Sequence, residues 1–230
     1  MKYFALLFTS FFFSVFVFAD ETLKQCSQSK LTADSLSGSR VDGVIVHRGN
    51  VNYCDPNAAF SADNLTLRRQ KDNVEMHAEG TPVKMNQTST EFKLNVNASS
   101  VNYEPQKLQF SFFDNVKLNL ESTAQNFSVS GRQLQYQFQK DEKLKPASMR
   151  ASGTPLKLEL NNQTEKLSAE AKHLNFDYQS NSLTLEGDVR FLQAGDLIKA
   201  EKLIYNTKDK SWEVPSIKNK RIEIIKKSKL

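Results

Sequence analysis

The chain copies itself. Ala78-Glu79-Gly80-Thr81-Pro82-Val83-Lys84-Met85 returns 73 positions later as Ala151-Ser152-Gly153-Thr154-Pro155-Leu156-Lys157-Leu158. The same offset lays Val101, Tyr103, Val116 and Leu118 over Leu174, Phe176, Val189 and Phe191. Self-similarity at a fixed period points to stacked units, each burying its apolar face only against its neighbours. What is copied is an alternating pattern with turns, and it holds no catalytic cluster. That favours a scaffold presenting a long surface over an enzyme built around one pocket.

The alternation runs almost unbroken, as in Leu65-x-Leu67, Phe92-x-Leu94-x-Val96, Phe110-x-Phe112, Leu134-x-Tyr136-x-Phe138 and Leu183-x-Leu185. Period two means strands with one apolar and one wet face, and no helical period is sustained, so the chain reads as all-β. Lys71-Asp72-Asn73, Glu104-Pro105-Gln106, Gln179-Ser180-Asn181 and Lys208-Asp209-Lys210 separate alternating runs as short hairpin loops do. Gly49-Asn50, Asn115 and Gly187-Asp188 mark a second class of break, inside the units. These marks divide the chain into units beginning near Leu31, Ser61, Asn97, Gly131, Ala169 and Ile198, with 140–146 as the longest loop. A barrel, a sandwich and an open roll all satisfy this pattern, and the repeat favours the open roll. Its stacked apolar faces form a continuous lining, which is either plain core or a partly filled trough that takes a guest.

The two ends read differently. Residues 1–19 carry Lys2, a long apolar stretch and Val17-Phe18-Ala19, the arrangement of a cleaved secretory signal peptide; the alternative is an uncleaved membrane anchor. Residues 20–30 form an amino-terminal segment, 31–214 the β domain, and 215–230 a basic strand or tail holding Lys218, Lys220, Arg221, Lys226, Lys227 and Lys229 around Ile222-x-Ile224. The formal charge of +5 suits an anionic partner but is too small to identify one. In an exported chain Cys26 and Cys54 are expected to pair, and the alternative, two metal ligands, has no histidine or second cysteine pair near it.

No chemistry-bearing motif appears. His47, His77 and His173 are too far apart for a ligand spacing, and there is no H-E-x-x-H, G-x-S-x-G, C-x-x-C or phosphate-binding glycine loop. No enzyme, cofactor or metal is expected. The basic residues are not interleaved with aromatics as single-stranded nucleic-acid binders require, so no nucleic acid is expected either.

Gly49-Asn50-Val51, then Ala62-Asp63-Asn64-Leu65-Thr66-Leu67, then Ala78-Glu79-Gly80-Thr81-Pro82-Val83 resemble the OstA-like periplasmic proteins of lipopolysaccharide export. Leu185-Glu186-Gly187-Asp188-Val189 leading to Ile198-Lys199-Ala200-Glu201-Lys202-Leu203-Ile204-Tyr205 is similar to the closing section of that family. The resemblance runs from about Leu31 to Val214; the cysteine pair and the extra sequence at 140–146 depart from it. It implies an open, twisted antiparallel β-jellyroll in the periplasm whose apolar groove holds the acyl chains of lipopolysaccharide. It also implies head-to-tail joining of copies and contact with inner-membrane anchored and outer-membrane OstA-like components. A membrane-anchored partner in the same family is the nearest alternative, and an exported β-solenoid binding carbohydrate or a surface partner is the other. The expected lipid-facing residues are Leu65, Leu67, Val101, Tyr103, Phe110, Phe112, Val116, Leu118, Leu134, Tyr136, Leu174, Phe176, Leu183, Leu185, Val189 and Phe191.

Overall fold

The computed structural model describes residues 23, 26–39, 41–70, 73–122, 126–140, 146–161 and 166–226. The apolar leader at 1–19, the Lys71-Asp72 turn and the tip of the 140–146 loop lie outside them. The described residues contain no helix. Their strands are β1 (Lys30–Thr32), β2 (Ser35–Ser39), β3 (Val44–Cys54), β4 (Ala58–Gln70), β5 (Asn73–Thr88), β6 (Phe92–Glu104) and β7 (Gln109–Ser122). They continue with β8 (Asn126–Phe138), β9 (Pro146–Asn161), β10 (Lys166–Asp177), β11 (Ser182–Gln193), β12 (Asp196–Asn206), β13 (Trp212–Glu213) and β14 (Glu223–Ile225).

All fourteen belong to one antiparallel sheet in which each long strand, β3 to β12, pairs with its neighbours in sequence. The sheet does not close. Two short strands, β1 and β2, cover the two halves of β3 at one end, and β13 and β14 cover parts of β12 at the other. The open roll is therefore the architecture, and the barrel and sandwich are not. The 73-residue offset is a four-strand unit: it lays Asn73–Thr88 over Pro146–Asn161, β5 over β9, and places the two cis X-Pro bonds, Thr81-Pro82 and Thr154-Pro155, at equivalent points.

Each long strand bends once. Register shifts fall between Arg48 and Val51, Phe113 and Val116, and Glu186 and Val189, at the breaks marked in the sequence. The chain there takes positive φ at Gly49, Asn50, Asp114, Asn115, Gly187 and Asp188, which Gly tolerates and Asn and Asp accept more readily than other residues. A bulge of this kind turns the strand and raises its twist.

Because the bends align across the sheet, the sheet folds on itself. Phe127 on β8 lies level with Leu160 on β9 and, through it, with Leu167 on β10. Phe176 is nine residues further along β10, about 30 Å away on a flat sheet. Their rings nevertheless stack with centroids 6.0 Å apart. The two halves of the sheet thus face each other, and the apolar side chains of both form one continuous core.

Candidate functional site: the amino-terminal opening of the apolar interior

The interior is built in rows. Leu65, Ala78, Val101, Phe112, Leu134, Ala151, Leu174, Leu185 and Leu203 are successive cross-strand partners on nine adjacent strands. All are buried. A second row on the same half runs from Leu67 through Met76, Tyr103, Phe110, Tyr136, Met149, Phe176 and Leu183 to Tyr205. This row is graded. Leu67, Met76, Tyr103 and Phe110 are half-buried, whereas every member from Tyr136 onward is closed off from solvent. The interior is filled toward the carboxy terminus and opens toward the amino terminus.

At that open end Leu31, Tyr53, Phe60, Leu65, Met85 and Phe110 border a cavity of about 320 Å³, joined by Ala58, Ala59, Leu67 and Met76. The phenol of Tyr53 donates to Asp55 Oδ2 at 2.7 Å, which anchors that ring at the mouth and raises its pKa above the usual tyrosine value. Tyr103 stacks on Phe110 at 4.5 Å between centroids, and Phe110 meets Phe112 at 6.0 Å, so the mouth leads directly into packed core.

Of the sixteen residues expected to face lipid, Leu67, Tyr103 and Phe110 are half-buried at or beside this opening, and Leu65 borders it from a buried position. The other twelve, Val101, Phe112, Val116, Leu118, Leu134, Tyr136, Leu174, Phe176, Leu183, Leu185, Val189 and Phe191, are core side chains packed against the opposing half. Met76, Met85, Phe60, Tyr53 and Leu31 also line the mouth and were not among those residues. Cross-strand pairing is the signal that finds them: Leu67 pairs with Met76, and Phe60 with both Tyr53 and Met85.

Cys26 and Cys54 are bonded, with Cα atoms 5.5 Å apart. The Cys26 amide donates to Asp55 O at 3.2 Å, tying the segment before β1 to the end of β3. Ala59, the strand partner of Cys54 and Asn86, is buried, and it borders a small cavity together with Leu23 and Cys26. No metal-ligand group of three or more His, Cys, Asp or Glu occurs among the described residues.

A single open sheet folded about an apolar interior, with free strand edges at both ends, defines an open β-jellyroll. The family model described as LptA/(LptD N-terminal domain) LPS transport protein matches residues 30–142 and 137–211. The chain belongs to that family, an OstA-like family of lipopolysaccharide transport. Among solved structures it is similar to LptH, the LptA homologous periplasmic component of the conserved lipopolysaccharide transport device from Pseudomonas aeruginosa. That similarity covers 88% of this chain and 96% of the other at 14% identity, with a TM-score of 0.25, a level that by itself carries no argument. A search of curated protein sequences finds no match.

Proposed function

We propose that this chain is a periplasmic carrier that shields the acyl chains of lipopolysaccharide in its interior and passes them along a head-to-tail bridge. The observation that carries the reading is the wholly apolar opening at Leu67, Met76, Met85 and Phe110, continuous with the buried rows behind it. Exposing acyl chains to water costs about 0.8 kcal/mol per methylene, so one twelve-carbon tail costs on the order of 10 kcal/mol. An apolar trough removes that penalty without any chemistry of its own. Since most of the interior is already packed, a guest enters at the mouth and advances as the two halves part.

The bridge reading draws on the open ends of the sheet. Leu36 and Ile45 are exposed at the β2–β3 end, and Trp212, Ile224 and Ile225 at the β13–β14 end. Unpaired edges of this kind join other chains through main-chain hydrogen bonds.

The test is native mass spectrometry of the protein recovered from its own periplasm, beside a Leu67→Asp variant. Lipopolysaccharide bound to the wild type and absent from the variant is the expected result. A wild-type protein that stays empty when lipopolysaccharide is supplied overturns the carrier reading. A mature mass beginning at Asp20 supports the soluble bridge, and a mass retaining residues 1–19 assigns the chain to the anchored partner instead.

A further inference from the structure

The outward face of the second repeat carries a concavity of about 420 Å³, on the side of the sheet away from the apolar interior. It spans five strands, β8 to β12. Gln135, Arg150, Asn175 and Thr184 are successive cross-strand partners along one row, and Gln133, Ser152 and His173 along the next. Glu186 and Lys202, paired at 2.7 Å, border it at the β11–β12 side.

In the first repeat several of the equivalent polar residues bond to one another. His77 Nδ1 lies 2.5 Å from Asn102 Oδ1, His77 Nε2 lies 3.2 Å from Glu79 Oε1, and Gln109 Nε2 donates to Ser111 Oγ at 3.2 Å. In the second repeat Arg150 stands where His77 does, Asn175 where Asn102 does and Thr184 where Ser111 does. No side-chain hydrogen bond or ion pair to another described residue engages Gln133, Gln135, Arg150, Ser152, His173, Asn175 or Thr184. His77, Asn102 and Ser111 of the first copy are engaged by neighbours, whereas their counterparts Arg150, Asn175 and Thr184 in the second stand around a hollow.

We propose that this outer concavity binds an anionic saccharide. Side-chain amides offer a donor and an acceptor side by side, which suits vicinal hydroxyls, and hydroxyls and imidazole extend the same capacity. The Arg150 guanidinium supplies a planar fork for a carboxylate or phosphate on the sugar. No Phe, Tyr or Trp ring lines the hollow, so recognition rests on hydrogen bonds and charge more than on ring stacking. Weak, salt-sensitive affinity follows. The site stands apart from the interior and does not depend on what the interior carries.

The experiment is a titration of the isotope-labelled full chain, followed by amide NMR. The probes are deacylated lipopolysaccharide, oligogalacturonate, maltoheptaose and inorganic phosphate. Saturable shifts of the Gln133, Arg150, His173 and Asn175 amides with an anionic saccharide are expected, weakened about ten-fold by Arg150→Ala and abolished by high salt. Gln135→Ala is expected to weaken binding as well, while Leu67→Asp at the interior mouth leaves it unchanged. The tighter of the phosphorylated and carboxylated probes identifies the source of the ligand. No saturable shift with either anionic saccharide, equal binding of inorganic phosphate or maltoheptaose, or loss of binding in Leu67→Asp would overturn the proposal.

Discussion

The ring of Tyr136 meets the ring of Tyr178 edge-on, with centroids 6.2 Å apart, where the buried Tyr136 packs against the half-buried Tyr178 at the margin of the core. The Tyr136 hydroxyl is buried and has no partner within hydrogen-bonding geometry among the described residues. Burial pushes its pKa up to about 12, a rise only partly offset by the neighbouring Tyr178 hydroxyl, and burial likewise drives Tyr178 well above the usual value.

A pH dependence follows from that pair. The unfolded chain releases the Tyr136 proton near the ordinary value of 10, whereas the folded protein keeps it until about 12. Stability is therefore fully present below pH 10 and falls as pH rises from there toward 12, by roughly 2–3 kcal/mol for this one group. Urea unfolding at a series of alkaline pH values checks it: the midpoint of the wild type drops across that window, and Tyr136→Phe drops less. Below pH 10 the same substitution is neutral or mildly stabilising, because it removes an unsatisfied buried hydroxyl.

Phe110 and Phe112 separate mouth from core. They share a strand and a face, yet Phe112 is 1% exposed and Phe110 is half-buried at the opening. Phe112→Ala is expected to cost about 3–5 kcal/mol, and Phe110→Ala about 1–2 kcal/mol. Chemical denaturation reads both. Equal losses would mean that the interior is closed at its amino-terminal end.

The disulfide spans 28 positions, so closing its loop accounts for about 3–4 kcal/mol on the chain-entropy account. Cys26→Ser with Cys54→Ser should lower stability by up to that amount. The loosening should centre on β3 and β4, beside the segment that the disulfide ties to Cys54. Hydrogen exchange by residue tests this, since uniform loosening through β12 would contradict a local clip.

Gly187 sits at a bend with φ of 81°, and a Cβ added there would lie 2.9 Å from Lys172 Cβ. Gly187→Ala is expected to destabilise by roughly 1–3 kcal/mol, combining left-handed strain with the close approach. Thermal unfolding is the measurement, and Gly38→Ala, at a residue without positive φ, is the milder comparison.

The all-β class, the 73-residue repeat, the hairpin at Glu104-Pro105 and the bends at Gly49-Asn50, Asn115 and Gly187-Asp188 were all legible in the sequence. They follow from local rules: period two sets the face of each side chain, and positive φ demands particular residues. Which apolar residues are core was not legible. Parity places Leu67, Phe110, Tyr136 and Phe176 on one face alike, but only the folding of the sheet brings an opposing half over Tyr136 and Phe176 while leaving Leu67 and Phe110 at an opening. The polar hollow has the same origin. Alternation turns Arg150 and Asn175 outward, whereas the curvature that gathers them around one cavity arises from bends and twist summed over five strands, a property of no single segment.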